Sequence, residues 1–292
     1  MTIAIGFLTG NAAILCADSQ EVVSDYAKTT TQKIRTTTFF NNWRLGIAGS
    51  GDDTTFMDTF ENELQMALGK FHEFDYSKIV ETIKIKLLNF HKMHIWPIPK
   101  DERPSFELLI VLQGIKPQGS RALLYTHKTA VLPVHYRSIG VGSYLADYLS
   151  SKLDVSGNRI ESLVYNSSTE EMERFGVFLI QQIKSAIHGC DGETLVATFR
   201  GDGTMKWMLG EEVHEIESWF TAFHSNAVPL LRLVSHAEVS DEEFRESLQQ
   251  FNADMNLLRA RQARERVSYN KRFDEFLKAQ AKVRKKPKSK QS

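Results

Sequence analysis

Residues 2–20 read TIAIGFLTGNAAILCADSQ. Two short apolar runs of β type, 2–8 and 12–18, flank Thr9-Gly10-Asn11, a cluster of turn formers, so the chain is predicted to open on a β-hairpin. A second pair of strands is predicted at about 33–38 and 43–49, around Asn41-Asn42. Four strands within 50 residues, joined by short turns, imply an antiparallel sheet. The period then changes. Phe56, Phe60 and Leu64 recur every fourth residue between Asp52 and Leu68, and Ile79, Ile83 and Leu87 do so between Tyr76 and about Met93, which predicts two consecutive helices.

Pro97 and Pro99 end the second helix, and strand patterns resume at 106–113, 122–126 and 137–140. Helices are predicted over 143–153 and 169–187, followed by strands near 194–200 and 205–209 across the turn Gly201-Asp202-Gly203. The helices come in adjacent pairs rather than singly between strands. That order argues against a parallel doubly wound sheet and for an α+β fold, antiparallel sheets with helices on their outer faces. Beyond Gly210 the pattern shifts again. Ser240-Asp241-Glu242-Glu243 reads as a capping box opening a long helix, whose stripe Phe244, Leu248, Phe251, Met255 and Leu258 calls for a partner surface. The expected organisation is one domain over 1–210, an extension with this amphipathic helix over 211–281, and a basic tail over 282–292 too polar to pack.

A chain of 292 residues with 42% hydrophobic content can bury a full core. Cys16 and Cys190 lie far apart with no second pair, which excludes a disulfide framework and a four-thiolate zinc site; neither a metal nor an organic cofactor is expected. No basic region precedes an apolar one at the start of the chain, so neither a signal peptide nor a membrane span is predicted, and a cytoplasmic location is expected. The formal net charge of zero conceals a split: Arg259 to Ser292 holds thirteen Lys or Arg against three acids, a local charge of +10 that leaves −10 on the rest. The segment has no recognisable nucleic-acid motif, so it is expected to pack as a helix on the protein itself or on a neighbouring subunit and to end in a solvated tail, rather than to bind nucleic acid.

Thr2 follows the initiator Met1 directly. A threonine with a free α-amino group carries both a nucleophilic hydroxyl and a base to accept its proton. Together with Thr2-Ile3-Ala4-Ile5-Gly6, the pieces Ala17-Asp18-Ser19-Gln20, Gln32-Lys33-Ile34 and Gly46-Ile47-Ala48-Gly49-Ser50-Gly51-Asp52 resemble, in order and spacing, a proteasome β-type subunit and the related bacterial ATP-dependent threonine peptidase. Arg103-Pro104-Ser105-Phe106, Leu124-Tyr125 and Ile139-Gly140-Val141-Gly142-Ser143 match the second half more loosely, and the resemblance covers roughly 2–210.

The resemblance implies a four-layer αββα sandwich of the N-terminal nucleophile hydrolase type, here with a C-terminal helical extension. It implies that Thr2, after loss of Met1, is nucleophile and base, that Lys33 lowers the pKa values of its hydroxyl and amine, and that Asp18 orients Lys33. It further implies that the Gly49 amide donates to the oxyanion, and it makes Gln20, Glu21, Thr31, Ile47 and Gly51 the lining of the substrate pocket. A peptide or unfolded-protein substrate, a homo-oligomeric ring and an ATPase unfoldase as partner follow from the same resemblance. The second half departs from the family pattern. The supporting loop serine falls on Val141, with Ser143 close by, while the later aspartate and serine fall on Ile187 and Cys190; a loop shifted by one residue would offer His188 or Asp191 instead. A catalytically silent subunit and a small-molecule amide hydrolase are the alternatives on the same fold.

Overall fold

The computed structural model describes residues 3–24, 27–51, 54–153, 164–235, 240, 242–257 and 259–260. The predicted opening hairpin is formed by β1 (Ile3–Leu8) and β2 (Ala12–Asp18). The Thr9 hydroxyl closes its turn by accepting from the Asn11 and Ala12 amides at 3.2 and 2.9 Å. Next come β3 (Gln20–Ser24) and β4 (Ala27–Thr30), a two-stranded sheet that the strand periodicity did not predict. The second predicted pair is β5 (Ile34–Phe39) and β6 (Trp43–Gly51).

Two helices follow, α1 (Thr54–Leu68) and α2 (Tyr76–Phe90). Asp75 caps α2 by accepting from the Lys78 amide at 3.1 Å, and a π turn over His91–Ile95 ends the helical run ahead of Pro97. The chain returns through β7 (Phe106–Gly114), β8 (Arg121–His127), β9 (Ala130–Pro133) and β10 (Tyr136–Gly140) to α3 (Ser143–Leu153). Then α4 (Thr169–Ala186), opened by a full Ser168/Glu171 capping box, leads to β11 (Thr194–Arg200) and β12 (Met205–Trp207). A helix not foreseen by the sequence patterns, α5 (Gly210–Ser235), precedes α6 over 242–257.

The strands form two five-stranded antiparallel sheets, ordered β10-β1-β2-β11-β12 and β5-β6-β7-β8-β9. Their inner faces meet in one core, where Leu15 and Ala17 of the first sheet and Phe199 of β11 pack against Ala48, Leu109, Val111 and Leu123 of the second. The outer face of the second sheet, with Trp43, Leu45, Ile47 and Ile110, is covered by Phe60 and Leu64 of α1 and by Ile79, Ile83 and Leu87 of α2. Those are the helix positions the fourfold spacing selects. On the first sheet, the Phe175 ring of α4 packs tilted against Phe7, with centroids 5.9 Å apart, and Gly176 lets the helix backbone approach Cys16. The result is the αββα layering. β2 is buried along its whole length because layers cover both of its faces, which is why it reads as a continuous apolar run rather than an alternating one.

The sheets approach closely at Gly46, where an added Cβ would overlap the fully buried Phe199 ring. Gly46→Ala is therefore expected to destabilise the fold by about 1–3 kcal/mol, the range for overpacking a core. The measurement is a urea titration, with a lowered midpoint and unchanged slope expected. An unchanged midpoint would mean that the layers part at no cost.

The chain divides into two compact units, Met1–Glu217 and Ser218–Ser292. Within the second, Phe223 and Phe251 meet edge to face at 6.1 Å, and the Ser240 hydroxyl accepts from the Glu243 amide at 3.2 Å at the start of α6. Of the predicted stripe, Phe244, Phe251 and Met255 are half-buried and Leu248 is exposed. Leu258 and the expected basic tail over 282–292 lie outside the described residues. Among the described residues, no helix is long and apolar enough to cross a membrane.

Candidate active site

The strand registers bring the residues singled out by the sequence to one end of the sandwich. Ala4 pairs with Ala17, so the first described residue, Ile3, stands opposite Asp18, and Asp18 pairs on its other side with Thr194 at the start of β11. The Ile3 amide donates to Asp18 Oδ1 at 3.1 Å. From the other sheet, Lys33, immediately ahead of β5, reaches across the layers and donates from Nζ to the same oxygen at 2.8 Å. Both partners are inaccessible, Asp18 at 0% and Lys33 at 5% exposure, so this is an ion pair removed from water. Burial pushes the Asp18 carboxyl above the ordinary carboxylate range, while the Lys33 ammonium and the amides of Ile3 and Asp191 pull it back part of the way. Thr2 itself lies outside the described residues.

Beside Lys33 opens a cleft enclosing about 420 Å³ of atom-free space, part of it open to solvent. Its walls are Thr31, Gln32, Lys33 and Arg35 on one side and Gly49, Ser50 and Gly51 on the other, and its apolar floor is Met57, Phe106 and Leu108. The side chain of Arg35 is engaged by Asp58 and by Glu61, the latter at 2.7 Å, so its charge is largely offset. β5 pairs with β6 only as far as Ile34 opposite Ala48, whereas β7 continues opposite Gly49, Ser50 and Gly51. In these strand ladders the β5-side edge of β6 is thus left open along the cleft.

The expected pocket residues separate on inspection. Thr31 and Gly51 line the cleft, and the Thr31 amide donates to the Ser19 carbonyl at 2.8 Å. Gln20 is buried beside Asp18, its amide bonded to the Asp191 carbonyl at 3.1 Å. Glu21 lies in β3 opposite Thr29. Ile47 is 2% exposed in the core beneath α1 and α2, one inward-facing step short of the cleft, where Met57 takes the floor. Arg35 and Met57 were not singled out by the sequence. Arg35 had a signal, two residues beyond Lys33 on one strand face; Met57 depends on how α1 packs.

In the second half, Gly142 comes against Ile3, which places the loop 140–142 beside the start of β1. Ser143 opens α3 and does not line the cleft; its carbonyl accepts from the Ser138 hydroxyl at 3.2 Å. Val141 is 40% exposed. In the loop before β11, the side chains of His188 and Asp191 face solvent, and Ile187 is the half-buried C-cap of α4. Cys190 is the one drawn inward: it is 1% exposed, and burial with the added repulsion of Asp18 pushes its thiol up to about 11, Lys33 acting in the opposite sense. It is a neutral thiol next to the ion pair, not a thiolate nucleophile.

No family model and no curated protein matches the sequence. Solved structures do. The Anbu (Gly-1) mutant from Hyphomicrobium sp. strain MC1 is similar at a TM-score of 0.62 and 8% identity, over 78% of this chain and 97% of that one. Anbu (ancestral beta-subunit) from Yersinia bercovieri is similar at 0.60 and 11%, over 76% and 94%. A third match, the helical assembly of the Anbu complex from Pseudomonas aeruginosa, gives 0.62 and 9%, over 78% and 95%. At these identities the likeness concerns the fold, which is that of the proteasome-like N-terminal nucleophile hydrolases, as the residue pattern led one to expect.

Proposed function

We propose that the chain is a threonine-type endopeptidase that hydrolyses peptide bonds with Thr2 once Met1 has been removed. The observation that carries this reading is the buried pair in which Asp18 Oδ1 accepts both from Lys33 Nζ and from the amide of Ile3, the residue next to Thr2. A desolvated ammonium held at the very start of β1 has an evident chemical use there. The Thr2 Oγ attacks the substrate carbonyl, and the Thr2 α-amine, with an intrinsic pKa of about 7.7–8.0, takes the hydroxyl proton. The positive charge of Lys33 lowers both pKa values, and Asp18 fixes where that charge sits. The Gly49 amide donates to the developing oxyanion, a contribution of about 3–4 kcal/mol for a single well-placed donor.

The open edge of β6 supports an extended peptide as substrate, laid along Gly49 to Gly51 as an added strand. The floor of Met57, Phe106 and Leu108 supports an apolar side chain at the position entering the cleft, because Arg35 is already engaged by two carboxylates. Self-assembly of the chain into an enclosed ring, fed by an ATPase unfoldase and located in the cytoplasm, completes the proposal. The helical assembly named for the Pseudomonas aeruginosa complex supports association of copies in general.

The measurement that can overturn this reading is the intact mass of the purified chain. Loss of Met1, leaving Thr2 as the first residue, is expected; a chain that keeps Met1 in full cannot act by this mechanism. A second reading, a silent structural subunit of the same fold, is favoured by the apolar Val141 and Ile187 where the family pattern has polar support, and it tolerates either outcome of that mass measurement.

A further inference from the structure

We infer that Lys184 and Glu217 form a positioning clamp that seats the loop 187–193 against the Asp18–Lys33 pair. Lys184 lies in the last turn of α4, where a lysine ordinarily extends into water. Here its side chain is 15% exposed, and Nζ donates to three acceptors: the Gly192 carbonyl at 3.0 Å, the Thr194 hydroxyl at 2.9 Å and Glu217 Oε1 at 3.0 Å. That is the full donor capacity of an ammonium. Glu217, on the second turn of α5, also accepts from the Thr194 hydroxyl at 2.8 Å, and its carbonyl accepts from Gln181 Nε2 at 3.0 Å. The Lys184 ammonium thus holds one backbone carbonyl of the loop, and Glu217 and Thr194 hold the ammonium in place.

The opposite side of the same loop holds the end of β2. The Glu193 amide donates to Ser19 Oγ at 2.8 Å, the Gln20 amide donates to the Asp191 carbonyl at 3.1 Å, and Thr194 is the strand partner of Asp18. Cys190 is buried against the pair from this loop. The clamp thus acts on the end of β2 through Asp191 and Glu193 of the loop and Thr194 at the start of β11, and it keeps water from the carboxylate by keeping Cys190 seated. Neither Lys184 nor Glu217 lines the cleft or touches the reacting atoms. They position; they do not catalyse.

The consequence for catalysis rests on the proposed function, but the clamp has a readout that does not. Cys190 and Cys16 are both buried, and Cys16 lies beneath the middle of α4, out of the loop's reach, so it serves as an internal control. In Lys184→Met the rate of Cys190 alkylation by a small iodoacetamide, resolved from Cys16 by peptide mass spectrometry, is expected to rise at least about tenfold, the scale of losing one charge-assisted hydrogen bond. Cys16 should stay unlabelled, and Lys184→Arg should restore much of the protection. If Lys184→Met does not fold, Glu217→Gln makes the same test from the other partner, with the same expected rise. An unchanged Cys190 rate, or equal rises at both cysteines, overturns the clamp. Where peptide hydrolysis is measurable, kcat should fall with KM unchanged and the acid limb of the pH profile should move, whereas a variant altering only substrate binding would shift KM. Absence of hydrolysis in the wild type would defeat the proposed function and leave the alkylation result to decide the clamp.

Discussion

Thr2→Ala is expected to lower the rate of peptide hydrolysis by at least about 10³-fold, because it removes the nucleophile and leaves only binding and oxyanion stabilisation. Thr2→Ser keeps a hydroxyl beside a free α-amine and should retain much of the rate. The comparison must be made on proteins whose Met1 has been removed, since alanine, serine and threonine at position 2 all present a small residue next to it. The readout is steady-state cleavage of fluorogenic peptides with an apolar residue at the scissile position, matched to the floor formed by Met57, Phe106 and Leu108. A Thr2→Ala protein as active as the wild type would remove Thr2 from the chemistry, whatever the fold. Loss in both variants would point to a role for the threonine methyl group in ordering the hydroxyl.

Asp18→Ala is expected to cost about 3–5 kcal/mol of stability, the penalty for leaving one member of a buried ion pair without its counter-charge. Lys33 is only 5% exposed, so water replaces little of the lost counter-charge. Asp18→Asn should lose less, because its side-chain oxygen can still accept from Lys33 Nζ and from the Ile3 amide. A double variant, Asp18→Leu with Lys33→Met, is expected to recover most of the loss, since replacing a buried pair by apolar groups of similar volume is often close to neutral. Urea titrations of the wild type and the three variants measure these differences. A loss below about 1 kcal/mol in Asp18→Ala, the value typical of solvated surface pairs, would refute the burial argument. The pair would then be kept for function and not for stability if the double variant proved stable but inert.

Legibility differed from one part of the chain to another for physical reasons. β2 was readable as an unbroken apolar run bounded by turn formers, and α4 because its apolar residues repeat the helical period over several turns, with burial following that period. The β3–β4 hairpin was missed because Gln20 to Thr30 mixes charged and hydroxyl residues with Val22 and Val23 and has no regular alternation. α5 was missed because Gly210 reads as a break and Pro229 as a terminator, although the helix runs from the first through the second. The predicted second helix was right in place and too simple in form, since its last turn widens into a π turn at His91–Ile95.

The candidate site divides in the same way. Asp18, Lys33 and Gly49 sit at the ends of strands whose positions are set by local sequence, so their spacing along the chain already implied a shared end of the sheets. Sequence by itself therefore determined the order of the layers, the antiparallel sheets and the Asp18–Lys33 pairing to be expected. Only the tertiary structure decided that Met57 and not Ile47 floors the cleft, that Cys190 rather than His188 or Asp191 turns toward the pair, and that Lys184 grips the loop behind it. Those outcomes depend on how helices pack on sheets and on which way an irregular loop folds, and contacts between residues far apart in the chain leave no periodic trace along it.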